Sequence, residues 1–240
     1  MMENVMMEKR KYLLLFLCWF LFTGCDRSED DPTPTQTFSF TFDADLEGWV
    51  NGFSDYSADW DKDRFHFEFQ HAPLPGEVNQ AGKALMLSGR NISDDLFMFI
   101  KRQITGLRPN HPYQVTFLVE LASRYPEESV GIGGSPGGSV YLKAGASAIE
   151  PQSVVEDGYY VMNIDKGNQS KGGEDAVVLG TVGIPGEEFA YQLIQRDNLQ
   201  EPLQARTDAA GNLWLIIGTD SGFEGTSTLY YNRIEVTLQE

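Results

Sequence analysis

Phe38-Ser39-Phe40-Thr41-Phe42-Asp43-Ala44-Asp45-Leu46-Glu47-Gly48-Trp49 carries an aromatic ring at every second position of its first half. Phe38, Phe40 and Phe42 alternate with Ser39 and Thr41, so an extended chain there has one apolar face and one polar face. The same period returns at Phe65, Phe67 and Phe69, which alternate with His66 and Glu68. A period of two predicts half-buried strands. Working outward, strand-like segments follow at 84–88, 96–103, 113–122, 139–144, 159–164, 176–182, 191–195, 213–218 and 229–238.

Between these segments stand turn formers such as Arg108-Pro109-Asn110, Gly172-Gly173 and Ala210-Gly211-Asn212. No stretch combines apolar residues at helical spacing with caps, and residues 187–195 offer at most a short helical turn. Many short strands with Gly/Pro turns predict an all-β domain, a β-sandwich or jelly roll. With no internal repeat and no second shift in composition, residues 38–240 read as one domain.

The residues before it read as an address. Lys9-Arg10-Lys11 precede the apolar run YLLLFLCWFLF at 12–22, which is too short for a membrane-spanning helix and suits a secretory signal peptide. Leu21-Phe22-Thr23-Gly24-Cys25 resembles a bacterial lipobox, with Phe22 in place of the usual Leu. That resemblance implies a signal peptide at 1–24, a lipidated Cys25 and membrane attachment through it. Cys18 is then removed and Cys25 acylated, which leaves the mature domain no thiol for a disulfide or a nucleophile. Residues 25–37, which include the run DRSEDDPTPTQT, read as an acidic, proline-bearing linker. Ser28-Glu29-Asp30-Asp31 resembles the acidic signal that sends some lipoproteins to the outer face of the outer membrane.

Charge narrows the partners. Asp and Glu number 35 against 18 Lys and Arg, a formal net charge of -17, which argues against a nucleic-acid backbone as partner. Acidity of this size serves solubility and leaves room for a bound cation such as calcium.

Three stretches resemble galactose-binding-like jelly rolls of the carbohydrate-binding-module type. They are Thr41-Phe42-Asp43-Ala44-Asp45-Leu46-Glu47-Gly48-Trp49, then Ile104-Thr105-Gly106-Leu107-Arg108-Pro109 followed by Tyr113-Gln114-Val115-Thr116-Phe117, and Leu229-Tyr230-Tyr231-Asn232-Arg233-Ile234-Glu235-Val236. The resemblance implies that the first and last strands lie together, that Trp49 is core, and that a carbohydrate is the ligand. It also implies a structural calcium near Asp43 and Asn232, where Asn232 replaces the family's usual Asp.

Motifs with catalytic associations fare worse. Gly133-Gly134-Ser135-Pro136-Gly137 fits the G-x-S-x-G pattern of a nucleophile elbow. Pro136, however, has no N–H to donate to an oxyanion, and His66, His71 and His111 all precede the serine. The glycine-rich stretch at 129–148 is instead expected to make a tight crossing over one end of the sandwich. Asp59-Trp60-Asp61-Lys62-Asp63 copies the start of an EF-hand loop, yet Arg64 and Gln70 stand where that loop needs Gly and Glu. The histidines lack zinc-site spacing. Acidic residues are too abundant for a glycosidase pair to be chosen by spacing.

What remains is a loop rich in rings and polar groups, 49–60, where Tyr56 and Trp60 stand beside Asp59 and Asp61. Rings stack on the apolar face of a sugar and carboxylates bind its hydroxyls, so these four residues are the candidate carbohydrate site. For Tyr56 and Trp60, core packing and an exposed platform both stay open. Asn91, Asp94 and Asp95 form a second polar loop. The expected function is glycan binding without catalysis. The alternatives are a structural or protein-interaction domain of the envelope and a carboxylate-dependent glycoside hydrolase.

Overall fold

The structure is a computed structural model that describes residues 34–78, 80–92 and 95–240. The signal peptide, Cys25, most of the linker and Asp94 lie outside the described residues. Among the described residues fifteen strands are present: β1 (Thr35–Phe40), β2 (Val50–Ser54), β3 (Tyr56–Ser57), β4 (Glu68–Pro73), β5 (Lys83–Arg90), β6 (Leu96–Ile104), β7 (Pro112–Ser123), β8 (Val140–Ser147), β9 (Ser153–Glu156), β10 (Tyr159–Met162), β11 (Ala176–Thr181), β12 (Gln192–Asp197), β13 (Leu203–Arg206), β14 (Leu213–Ser221) and β15 (Thr226–Gln239).

One sheet runs β12-β7-β15-β5-β4, with β1 along the second half of β15 and β13 along the first half of β7. The second runs β11-β8-β14-β6-β2, and β3, β10 and β9 form a small third sheet; all these pairings are antiparallel. Leaving aside the added strands, the chain visits β5, β6, β7, β8, β11, β12, β14 and β15. Numbered one to eight, these lie in the orders 1-8-3-6 and 2-7-4-5, the strand order of a jelly roll. The fold is an all-β jelly-roll sandwich.

Alternation builds the core between the sheets. Val115, Phe117, Val119 and Leu121 of β7 face Leu213, Leu215 and Ile217 of β14, and all seven are fully buried. On β15 the apolar period shifts from Leu229 and Tyr231 to Ile234, Val236 and Leu238. A bulge between Tyr231 and Arg233 absorbs the extra residue, Asn232, so both halves keep facing inward. Trp49 is buried edge-on against Phe40, with ring centroids 5.4 Å apart, as a core residue.

The structure departs from the sequence reading in several places. β1 begins at Thr35, inside the stretch read as linker, because Thr35 to Phe40 pair with Gln239 to Ile234. Phe65 is not in a strand. Asp61 caps a 3-10 turn at Lys62–Phe65 by accepting from the Asp63 amide, and His66 then turns into the left-handed region at φ 48, so the strand starts only at Glu68. β2, with Gly52 in its middle, carries no clear alternation. A Cβ at Gly52 would come within 2.2 Å of the Phe99 ring.

Two features position the candidate site. Pro34 enters beside the C-terminus, where its carbonyl accepts from the Glu240 amide, while the ends of β2, β7 and β14 lie at the opposite end. Segment 148–175 also folds across the outer face of the second sheet, with Met162 and Ile164 packed on Phe97, Phe99 and Ile216. The side chains of that face are thereby taken out of water.

Candidate functional site

Lys143 and Asp220 interrupt two apolar runs, VYLKAGA at 140–146 and LWLIIGTDS at 213–221. Because their neighbours Leu142, Ala144 and Thr219 face the core, the two charged groups point outward beneath segment 148–175. Lys143 Nζ lies 2.8 Å from Asp220 Oδ2, with side-chain exposures of 1% and 0%. Lys166, supplied by the covering segment, reaches the same oxygen at 2.8 Å and Asp55 Oδ2 at 2.7 Å. The Gln169 amide also donates to Asp220 Oδ2 at 2.9 Å. Lys143 Nζ donates in addition to the carbonyls of Lys166 and Lys171, so all three of its protons are used.

Asp55 follows β2 and Asp95 precedes β6, which brings both carboxyls to the end of β14. Among the described residues, Asp55, Asp95 and Asp220 form the one group of three acidic or His/Cys ligands whose atoms lie within 4.8 Å of one another. The environment pushes their protonation apart. Burial pushes the Asp95 carboxyl up to about 7, and the charges of Asp220 and Asp55 push the same way. Burial raises Asp55 too, against the pull of Lys166. Burial alone would raise Asp220, but the ammonium groups of Lys166 and Lys143 outweigh it and hold that carboxyl below its ordinary value. Burial lowers Lys143, while Lys166 is raised because Asp220 and Asp55 overcome its desolvation.

Asp55 and Asp95 form the floor of a groove with two lobes that share them and Val161, while Asp220 and Lys143 lie buried outside its lining. One lobe, of about 280 Å³, is walled by Tyr56, Trp60 and Tyr159. The other, of about 230 Å³, is lined by Asp165, Lys166 and Asn168. Tyr159, on the β9–β10 hairpin, is 56% exposed and offers an open ring. Trp60 is half-buried and fixed between Phe65 and the Arg64 guanidinium, which sits 5.1 Å from its ring centroid. Tyr56 is buried, with its ring 4.8 Å from that of Tyr160, so it belongs to the core and gives the groove only one edge.

Of the four residues chosen from sequence for a carbohydrate site, Tyr56 and Trp60 thus reach one wall. Asp59 is exposed and its amide donates to Ser57 Oγ, and Asp61 is the cap of the 3-10 turn; neither lines either lobe. The carboxylates present are those of Asp55, Asp95 and Asp165. Asp55 lies inside the 49–60 loop, and Lys143 and Asp220 stand out in the sequence as charges within apolar runs.

The residues named for calcium lie elsewhere. Asp43 is exposed in the turn after β1, and Asn232 donates from Nδ2 to Glu120 Oε1 at 2.6 Å. In that turn Glu47 Oε1 accepts from the amides of Thr41 and Phe42, and Asp45 accepts from the Glu47 amide, so the acids there cap backbone. In the Asp55–Asp95–Asp220 cluster two ammonium groups already pair with Asp55 and Asp220.

Ser135 is held by its own loop. Its Oγ donates to the Glu127 carbonyl at 2.7 Å and accepts from the amides of Gly137 and Gly138. Segment 124–139 crosses from β7 in one sheet to β8 in the other, with Gly133 at φ 74 where a Cβ would meet the Gly222 carbonyl at 2.4 Å. Val130 and Ile132 stand exposed at its tip.

No protein-family model matches the chain, and no curated protein matches its sequence. Among solved structures it is similar to the mannan-recognising carbohydrate-binding module TmCBM27, at 12% identity and a TM-score of 0.43 over 87% of this chain and 100% of that one. It is similar to the enzymatically active domain of tailspike protein 4 of bacteriophage CBA120, at 10% identity and a TM-score of 0.39 over 81% of this chain. The chain spans 20% of that tailspike. A third is the K1 cleaved adhesin domain of Lys-gingipain from Porphyromonas gingivalis W83, at 11% identity and a TM-score of 0.36 over 84% of this chain and 97% of that one. The jelly-roll assignment rests on the strand order of the chain itself.

Proposed function

We propose that this chain is a glycan-binding domain of the bacterial cell envelope, anchored through a lipidated Cys25, that holds its ligand without turning it over. The observation that carries the reading is the open Tyr159 ring standing over a groove whose floor holds the carboxyls of Asp55 and Asp95. A flat ring packs on the apolar face of a pyranose while carboxylates accept from its hydroxyls, and a ring stack contributes about 0.5–1.5 kcal/mol. Asp220, the third carboxylate, is fully buried and clamped by two lysines, which suits a scaffold better than the reacting pair of a glycosidase.

Placement supports the same reading. The chain enters at Pro34, and β15, with 14 residues, spans roughly 45 Å to the end that carries the groove. The groove thus lies at the end of the sandwich opposite the point where Pro34 enters it.

A protein-binding role is the second reading, and Val130 and Ile132 favour it as exposed apolar groups on the 124–139 loop at the same end. Binding of the full chain to a panel of soluble polysaccharides, followed by calorimetry, decides between them. Glycan binding that weakens in Tyr159→Ala supports the first reading; a folded chain that binds no glycan overturns it.

A further inference from the structure

The charge lining the groove says more about its ligand. Asp55 and Asp95 lie in both lobes and Asp165 in one, whereas the one lysine among the lining residues is Lys166. Its ammonium is already held by Asp55 and Asp220 at 2.7 and 2.8 Å. Asp165 is kept ionised because both of its oxygens accept backbone amides, those of Glu174 and Gly167, which hold its carboxyl below the ordinary value. Beneath the floor, Asp220 is fully buried and its Oδ2 is shared by the two ammonium groups and the Gln169 amide, so neither lysine is free to face the groove. The Tyr159 wall adds the negative face of an aromatic ring.

A uronate entering this groove would meet like charge from Asp165, while Lys166, the lysine among the lining residues, is already paired. A neutral sugar would gain ordinary hydrogen bonds. An ammonium group would gain charge-assisted ones, which are about twice as strong.

We infer that the groove selects glycans bearing a positively charged amino substituent, seated between the Tyr159 ring and the carboxyls of Asp95 and Asp165. The inference rests on the glycan-binding reading above and names its ligand class.

Three oligosaccharides of equal length test it with the full chain near neutral pH: a glucosamine oligomer, its N-acetylated form and a glucose oligomer. The amino form is expected to bind about tenfold more tightly than either neutral form at low salt. That advantage should shrink several-fold in high salt and in Asp165→Asn, whose folding is checked by its melting transition. Equal binding of all three overturns the charge selectivity and leaves the glycan reading standing. Binding of none of the three, by a folded chain that binds another glycan of the panel, overturns the amino selectivity alone; binding of no glycan at all overturns both.

Discussion

Lys143 Nζ sits 2.8 Å from Asp220 Oδ2, on neighbouring strands of one sheet, with both groups shielded from water by a segment that crosses above them. The pair joins the sheet to that segment, since the same ammonium holds the carbonyls of Lys166 and Lys171. It therefore fixes the floor on which the groove is built.

Replacing Lys143 by Met leaves Asp220 with one lysine and frees two carbonyls, that of Lys166 buried and that of Lys171 partly so. Removing one partner of a buried, hydrogen-bonded ion pair costs about 3–5 kcal/mol. Urea unfolding of Lys143→Met should show a loss of that order, and a change below about 1 kcal/mol would mean the network bears little of the fold's stability. The double variant Lys143→Met/Asp220→Asn should cost less than the sum of the two single variants, because the two side chains share one interaction.

Asp95 makes stability depend on pH in a defined direction. Its folded carboxyl, at about 7, lies above its ordinary value of 3.8, so between these the folded state keeps a proton that the unfolded state has lost. Stability should accordingly fall as pH rises from about 4 to about 7 through this group. Asp95→Asn should flatten that slope and melt higher than the parent at about pH 8. An unchanged pH profile of melting would refute the assignment.

Ser135→Ala separates the G-x-S-x-G pattern from chemistry. The hydroxyl organises the amides of Gly137 and Gly138, so its loss should lower stability by about 1 kcal/mol and leave glycan affinity unchanged. Loss of a measurable activity with intact folding would restore a nucleophile.

Chelation addresses the calcium expected near Asp43 and Asn232. With the turn acids capping backbone and two ammonium groups among the clustered carboxylates, removing divalent ions should leave the melting temperature where it was. A ligand specific to the folded state must raise that temperature, so a drop on chelation would establish a metal.

Much of the fold was legible because alternation is a local signal. Phe38 and Phe40 and the runs of β7 and β14 follow from it, whereas the pairing of the chain ends was implied by the resemblance to galactose-binding-like jelly rolls. The start of β4 was hidden because Phe65 keeps the period of two while Asp61 and His66 wind the chain into a turn. The bulge at Asn232 appeared only as a break in the period. At the site, a ring-and-acid loop pointed to Tyr56 and Trp60, but which acids face the groove depends on how β2, β6 and β14 end together. Asp55, Asp95 and Asp220 are far apart in sequence, and no local pattern joins them. The exposed ring, Tyr159, comes from a hairpin whose short strands carry little alternation.

The account's central claim is that the Tyr159 groove is a glycan site, and titration calorimetry of the parent chain and Tyr159→Ala against the tightest oligosaccharide of the panel tests it most directly. Tyr159 is exposed, so its truncation should leave the melting temperature within a degree or so while weakening affinity about two- to tenfold, the range expected for one ring stack. Undiminished affinity in a folded Tyr159→Ala chain would contradict it.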